Sequence, residues 1–314
     1  MNKTDIGSRV LVELKKHKCV GRIVSIEHLA ELKDEIETAH RTGQFCKAFF
    51  EERLSYFAFL PPDNVPNARS VMIVAAPQPQ ILVTFVWDGR PRRYVVPPTY
   101  DEGINASIEG LLRRILEPEG HHVAPSALPL KLLAVRSGLA AYGKNNICYV
   151  TGMGSFHRLM AFYSDAPCTQ DSWRPSLMLE RCAKCAACVK KCPTQAIDST
   201  RFLLRAERCL TFHNESPKDF PSWIEPRWHE CIVGCMRCQS ICPENKRLRH
   251  WVENGGVFSQ EETALLMRGV LPEELPRRVK TQLEQLGLIE YASLLPRNLK
   301  ALIDREDKSL DEDP

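Results

Sequence analysis

The 314-residue chain has 42 basic and 39 acidic side chains, and its formal net charge is only +3. Hydrophobic residues make up 44% of the chain and charged residues 26%, which is the composition of a folded globular protein rather than a disordered one. This balance argues against a strongly basic nucleic-acid binder, and no apolar run reaches the length of a membrane helix. The start, MNKTDIGSRVLVELKKHKCV, lacks the apolar stretch of a secretory signal, so we expect a cytoplasmic protein.

The first half of the chain predicts alternating helices and strands. Residues 1–60 are predicted to be helical, because SIEHLAELKDEIETAHRTG spaces its apolar residues as on one helix face. After a Pro-rich break, SVMIVAAP is typical of a buried strand, and ILVTFVWDGRPRRYVV predicts a hairpin that turns at Asp88-Gly89. INASIEGLLRRILEPEG predicts an amphipathic helix capped near Asn105. KLLAVRSGLAAYG predicts another helix with a glycine C-cap, followed by the strand ICYV.

This order indicates an α/β (α+β) domain over residues 1–176. From Leu177 to about residue 247 the pattern changes to cysteines, prolines and short turns. Residues 248–305 are predicted to form a C-terminal helical segment, and the acidic tail 306–314 is expected to be frayed.

The chain has thirteen cysteines, of which nine lie between Cys182 and Cys242. A reducing cytosol does not maintain structural disulfides, so this crowding indicates metal binding. CAKCAACVKKCP is the C-x2-C-x2-C-x3-C-P run of two-cluster ferredoxins, and CMRCQSICP repeats its C-x3-C-P ending. We therefore predict two [4Fe–4S] clusters in a ferredoxin-like domain at residues 177–247.

The spacing predicts how the thiolates divide between the two clusters. Three cysteines of one run reach one cluster, and the cysteine before proline reaches the other. The first cluster then takes Cys182, Cys185, Cys188 and Cys242, and the second takes Cys192, Cys235, Cys238 and one more thiolate. Cys209 is the better candidate for this eighth ligand, because the alternative, Cys231, lies only four residues before Cys235.

Zinc binding is the alternative to iron–sulfur clusters. Paired C-x2-C motifs also bind zinc, although zinc sites rarely use a run of four cysteines followed by proline.

The other four cysteines have no partners at ligand spacing and are interpreted as small buried hydrophobes: Cys19, Cys46, Cys148 and Cys168. Basic residues around the first motif favour a reduced cluster and an acidic, low-potential electron donor of the ferredoxin or flavodoxin type, or else they form a solvated surface: Arg181, Lys184, Lys190 and Lys191.

Several motifs upstream of the cysteines resemble one known family. VPNARSVMIVA, RSGLAAYGKNN, GSFHRL and the order of the cluster cysteines resemble epoxyqueuosine reductases and, more distantly, reductive dehalogenases. The resemblance implies a nitroreductase-like N-terminal domain that holds a cobalamin and receives electrons through the two clusters. It places these residues at the corrinoid pocket: Tyr142, Gly143, Lys144, Asn145, Asn146, Gly154 and Ser155. Without the resemblance, Tyr142–Asn146 is a helix C-cap and a turn before a core strand.

The chain departs from this family at one position. The family's catalytic aspartate, a proton donor, aligns with Ala124, and no carboxylate lies between Gly120 and Gly138. His122, Lys131 and Tyr142 are the alternative candidates for a proton donor.

The sequence therefore predicts an iron–sulfur reductase with a small-molecule or tRNA substrate other than that of the family. Its alternative is an electron-transfer protein that reduces a partner and has no substrate of its own. Four arginines could form a basic face for tRNA: Arg92, Arg93, Arg113 and Arg114. No sequence signal indicates an oligomeric state.

Overall fold

A computed structural model describes residues 5–311 of the chain. The chain forms two compact units whose segments alternate along the sequence. The first unit comprises the chain through Pro77, Glu102–Cys185 and Thr200–Leu203. The second comprises Gln78–Asp101, Ala186–Ser199 and the chain from Leu204 onward. These units differ from the sequential domains predicted above, because the 80–96 hairpin belongs to the second unit.

The first unit contains five α-helices and six strands among the described residues. The helices are α1 (Ile6–Lys16), α2 (Leu29–Arg41), α3 (Lys47–Arg53), α4 (Gly103–Leu116) and α5 (Leu130–Arg136). The strands are β1 (Val20–Ser25), β2 (Ser70–Pro77), β5 (Val123–Pro125), β6 (Ala140–Tyr142), β7 (Cys148–Val150) and β8 (His157–Ser164). The bounds of the second unit's elements follow below.

An antiparallel sheet in the order β1-β2-β8-β5 forms the centre of the first unit. The predicted strand SVMIVAAP is β2, and it is buried on both faces because helices cover each side. Val71 and Ile73 face a core that includes α2 and α5. Met72 and Val74 face the other core, which includes α1 and α4. The unit is thus a three-layer α/β/α arrangement around a short sheet.

Three local predictions in this unit are wrong. Residues 20–25 form β1 rather than a helix, because they pair with β2 along their whole length. Helix α4 begins at Gly103 with Glu102 as its N-cap, and Asn105 instead accepts a hydrogen bond from the Arg158 side chain at 2.7 Å. Helix α5 ends at Arg136, and residues 140–142 form β6, which pairs with β7 as a hairpin.

The second unit contains the remaining helices and strands. Its helices are α6 (Ala187–Lys191), α7 (Leu210–Asn214), α8 (Arg237–Ser240), α9 (Gln260–Met267), α10 (Arg277–Gln285) and α11 (Leu295–Asp311). Its strands are β3 (Gln80–Trp87), β4 (Arg90–Val96) and β9 (Val252–Phe258). The predicted hairpin is confirmed as the antiparallel pair β3–β4, with Asp88 and Gly89 both at positive φ.

Strand β9 runs parallel to β3 and completes a three-stranded sheet in the order β4-β3-β9. Side chains of α9, α10 and α11 pack with this sheet in one apolar core, and this shared core places the hairpin in the second unit. The predicted C-terminal helices are therefore confirmed. The acidic tail is not frayed at its start, because α11 continues to Asp311 and both Glu306 and Asp307 pair with Arg92. The tail's last residues, 312–314, lie outside the described residues.

No helix within residues 5–311 is long and apolar enough to cross a membrane.

We expect Gly287→Ala to destabilise the second unit strongly. Gly287 has a φ of +65°, and a Cβ atom there would overlap the carbonyl oxygen of Tyr100. Left-handed strain and steric overlap together should lower the free energy of unfolding by about 3 kcal/mol or more. Denaturant unfolding of the cluster-loaded chain without oxygen measures this change.

Gly89→Ala is the matched control for this prediction. Gly89 has a similar φ of +70°, but a Cβ atom there would meet nothing within 4 Å. Only the backbone strain applies to this variant, so its free energy of unfolding should fall by about 1 kcal/mol. Equal losses for the two variants would contradict the role given to the Tyr100 contact.

Candidate functional site

The first cysteine motif begins in a short 3₁₀ turn at Glu180–Ala183. The N–H of Cys185 donates to the carbonyl of Cys182 at 3.4 Å, which winds the two-residue spacer into one loop. Helix α6 then carries Cys188, and Cys192 ends that helix in an extended conformation before Pro193. The extended backbone takes the fourth cysteine away from the loop, as the ferredoxin spacing requires.

The second motif repeats this arrangement. Helix α8 carries Cys238, and Cys242 is extended before Pro243, with a ψ of 127° compared with 109° at Cys192. Helices α6 and α8 pack against each other within the second unit. The sequence repeat is thus also a repeat of local structure.

The second predicted ligand set lies wholly within the second unit. Burial raises the pKa of the Cys209 thiol, and the neighbouring Cys192 raises it further. Burial likewise raises the pKa of Cys235 to about 12, with Cys209 contributing. Cys209 thus interacts electrostatically with two predicted ligands, Cys192 and Cys235, and Cys231 interacts with Cys235. The choice of Cys209 as the eighth ligand stays a prediction from the sequence.

The alternative eighth ligand, Cys231, has a different environment. Its backbone forms a β-bridge with Val95, and the N–H of Ile232 donates to the Val95 carbonyl at 2.9 Å. Its side chain is buried, and burial together with Cys235 raises its pKa well above the usual range. These contacts fix Cys231 to the edge of β4, which fits the interpretation of a small core residue.

The first predicted set is shared by the two units, with Cys182 and Cys185 in the first and Cys188 and Cys242 in the second. Its assembly stays a prediction from the spacing. Among the other cysteines, Cys19 and Cys148 are buried, as predicted. Cys46 and Cys168 are only half-buried, which corrects the same prediction for them. Cys46 instead caps α3, because its sulfur accepts from the N–H of Phe49 at 3.4 Å.

The Tyr142–Asn146 turn connects β6 to β7, so it does not end a helix as predicted. The backbone N–H of Lys144 donates to the sulfur of Cys182 at 3.4 Å. Its ammonium group donates to the carbonyl of Cys185 at 3.0 Å. The turn thus contacts the first cysteine loop through both its backbone and its lysine. Hydrogen bonds to cysteine sulfur and nearby positive charge are two of the factors that set cluster potentials.

The other polar groups of this turn are used mainly inside it. Asn145 donates to the hydroxyl of Tyr149 at 2.9 Å and accepts from the N–H of Ile147. Gly143 does not have a positive φ, so backbone conformation does not require a glycine there. A Cβ atom at Gly143 would instead lie 2.5 Å from the ring of Tyr149, so close packing requires the glycine. The left-handed residue of the turn is Asn146, with a φ of 59°.

The structure does not bring all the predicted pocket residues to one place. Tyr142 pairs with Cys148 at the turn end of the β6–β7 hairpin. Gly154 forms a bridge with Val150 at the opposite end of this hairpin, and Ser155 follows it as a buried residue. Gly154 and Ser155 therefore belong to the turn before β8 rather than to the Tyr142–Asn146 turn.

The three candidate proton donors have different surroundings. The His122 side chain is 68% exposed, and its Nδ1 lies 2.9 Å from an Asp165 oxygen. The Lys131 ammonium donates to the carbonyl of Asn146 at 3.3 Å. Tyr142 is buried, burial raises its pKa, and its ring contacts Phe202 edge to face at 4.9 Å. Of the three, Tyr142 lines a cavity described for this unit.

Ala124, where the family's aspartate would fall, lies in β5 opposite Tyr163 and is 1% exposed. The strand holds this position in the core, so a carboxylate there would be desolvated.

Two of the four arginines of the proposed basic face are engaged in ion pairs, whereas Arg93 and Arg114 are exposed, so the basic face stays a prediction. Arg92 is buried and paired with Glu306 and Asp307, and Arg113 pairs with Glu109 and Glu117.

Sequence reasoning missed a cavity of about 450 Å³ in the first unit. Its acidic residues Glu31, Asp34 and Glu35 lie on α2, whose helical spacing predicted the helix but not a cavity. The RSGLAAYGKNN motif does touch it through Arg136 and Tyr142. That motif was the available signal for this cavity.

Comparisons with known proteins agree with these features. A family model described as a 4Fe-4S double cluster binding domain matches residues 181–245. The chain is 27% identical to the epoxyqueuosine reductase of Pseudomonas aeruginosa over 61% of this chain and 50% of that enzyme. It is 31% identical to the Xanthomonas campestris epoxyqueuosine reductase over 59% of this chain and 55% of that enzyme. The chain thus matches about half the length of these relatives.

The structure also aligns with a crystal structure of epoxyqueuosine reductase that contains an epoxyqueuosine-modified tRNA stem loop. The TM-score is 0.65 at 17% identity, over 95% of this chain and 80% of that chain. The matched double-cluster region and the mixed α/β fold define an iron–sulfur protein. Within that class, the chain is similar to epoxyqueuosine reductases over about 60% of its length.

We expect Cys209→Ala to remove one cluster and Cys231→Ala to leave both. Cys209 interacts with Cys192 and Cys235, whereas Cys231 is held against β4. Iron and sulfide analysis of protein purified without oxygen should fall from about eight irons per chain to about four only for Cys209→Ala. The reverse result would make Cys231 the eighth ligand, and stoichiometric zinc would contradict both clusters.

Lys144→Met should lower the reduction potential of the cluster held by Cys182 and Cys185. Its ammonium lies at the Cys185 carbonyl, and nearby positive charge stabilises the more negative, reduced state. A redox titration followed by electron paramagnetic resonance measures the two potentials. Lys131→Met is the control, because its ammonium contacts the Asn146 carbonyl instead. Equal shifts in both variants would show a long-range charge effect only.

Proposed function

We propose that this chain is an iron–sulfur reductase whose first unit presents a substrate or acceptor to electrons from the double-cluster domain. The contact of Lys144 with Cys182 and Cys185 carries this proposal. It joins the cysteine loop to a buried turn of the α/β unit, where the chain shows its resemblance to epoxyqueuosine reductases. Bound clusters would supply single electrons, and the donor would be a low-potential protein of the ferredoxin or flavodoxin type.

The rival function, an electron relay without its own substrate, uses less of the molecule. A relay needs only the cysteine segment, whereas here the first unit also supplies a cavity beside Tyr142. The cavity and the Lys144 contact lie at neighbouring positions of one turn. This arrangement favours a reductase over a relay. Thirteen free cysteines suit a reducing, cytoplasmic location for either function.

A corrinoid as the acceptor has weaker support from the residues of the turn. Its lysine is engaged by the Cys185 carbonyl, and the amide of Asn145 is bonded to Tyr149 and Ile147. These groups are thus partly used within the protein, which leaves fewer donors for the amide and phosphate groups on the rim of a corrinoid. A visible spectrum taken without oxygen, after cobalamin is added and the excess removed, tests this directly. Retained corrinoid absorbance would restore cobalamin to the proposal.

We propose that the substrate is not epoxyqueuosine in tRNA. The position of the family's proton donor is Ala124, which is buried in β5 opposite Tyr163. Among the three candidate donors, Tyr142 is the best placed, because it alone lies beside the cavity, although burial raises its pKa and weakens it as an acid. A tyrosine that retains its proton at neutral pH can donate it to a reduced substrate only when the two are in direct contact.

The chain should turn over epoxyqueuosine-containing tRNA at a rate lower by about 10² to 10⁴ than an enzyme with a positioned general acid. The measurement is an anaerobic assay with a strong reductant, followed by nucleoside mass spectrometry. The P. aeruginosa relative, loaded with clusters in the same way, is the positive control. Comparable turnover by the two proteins would contradict this prediction. The Tyr142→Phe variant would then show whether Tyr142 supplies the proton.

A further inference from the structure

The cavity beside Tyr142 is formed entirely by the first unit. Helix α2 and the residues that follow it line one side, and Leu132, Arg136 and Tyr142 line another. Phe202 and Leu203 complete it. Its volume of about 450 Å³ falls within the range of about 300 to 1,000 Å³ that is usual for small-molecule sites. The cavity is therefore large enough for a small organic ligand.

Three carboxylates and one guanidinium line this cavity, so its charge is negative. Arg136 pairs with Glu31 and with Glu35, the latter at 3.2 Å, and its guanidinium lies over the Trp173 ring. Asp34 has no ion-pair or hydrogen-bond partner within residues 5–311. One arginine thus compensates only part of the negative charge. Burial raises the pKa of Glu35 despite its ion pair with Arg136, and the nearby Glu31 carboxylate raises it further.

Aromatic groups supply the second independent feature of the cavity. The Phe202 ring is 39% exposed although it packs edge to face on Tyr142. Tyr142 is only 6% exposed, and its hydroxyl has no hydrogen-bond partner in the part of the chain that the structure describes. The hydroxyl of this largely buried side chain is thus free to form a hydrogen bond with a ligand in the cavity. The exposed ring can cover the apolar part of the same ligand.

We propose that this cavity binds a small alkylammonium ion. Its ammonium group would pair with Asp34 and Glu35, and its methylene groups would pack on Phe202. Carboxylates and aromatic faces both attract an organic cation, whereas they repel an anion. A neutral alcohol packs on the aromatic ring but gains no charge attraction. As a substrate site this cavity rests on the proposed function, whereas binding of the cation is measured without turnover and can fail or succeed independently of reductase activity.

Isothermal titration of the cluster-loaded full chain, without oxygen, tests the proposal with three probes of equal length. Butylammonium should bind at least about tenfold more tightly than 1-butanol, because only the cation gains the carboxylate and aromatic attractions. Butyrate should not bind. Equal affinities for the ammonium ion and the alcohol would overturn the proposal, as would no detectable binding of butylammonium at millimolar concentration.

Variants locate the site and separate it from a general charge effect. Asp34→Asn and Phe202→Leu should each weaken butylammonium binding severalfold, and both positions are exposed, so the fold should tolerate the changes. Asp63→Asn is the matched control, since it removes the same charge from an exposed position of the same unit outside the cavity. A loss in Asp63→Asn as large as in Asp34→Asn would mean that the cation binds nonspecifically. Unchanged binding in both cavity variants would place the cation elsewhere.

Discussion

The contact between the Lys144 turn and the first cysteine loop is the constraint on which the candidate site depends. A backbone N–H to the Cys182 sulfur and an ammonium to the Cys185 carbonyl fix this loop relative to the β6–β7 hairpin. The hairpin packs in the same apolar core as α5 and one face of the central sheet. The loop that starts the cysteine motif is thus held by the rigid part of the first unit. Rigid support of this kind is what keeps ligands in a productive geometry.

Burial raises the pKa of the cysteine thiols in the second unit and of Tyr142 in the first, and the consequence differs between the two. In the second unit it raises the pKa of Cys209 and Cys235, because a buried thiolate without a compensating cation is unfavourable. In the first unit it raises the pKa of Tyr142 and leaves its hydroxyl unpartnered. The first effect favours a metal cluster over free thiolates. The second favours a ligand that offers a hydrogen bond.

Much of the fold was predictable because its signals are local. SVMIVAAP, the Asp88-Gly89 hairpin and the C-terminal helices each depend on periodicity or on turn residues within a few positions, and all three are confirmed. The elements that were missed depend on distant partners. Strand β1 exists because β2 lies beside it, and β6 exists because β7 returns to it. The same limit applies to Gly143, whose need for a small residue comes from the Tyr149 ring.

The segment from Arg136 to Lys144 shows why a motif that resembles a family can be divided between two roles. Its first residue neutralises part of an acidic cavity, and Tyr142 lines that cavity with an unpartnered hydroxyl. Two residues later, Lys144 contacts the cysteine loop. A ligand held at Tyr142 would therefore be separated from the loop by a single turn of backbone. An electron relay would gain nothing from a cavity placed there, whereas a reductase needs its substrate and its electron source to be this close.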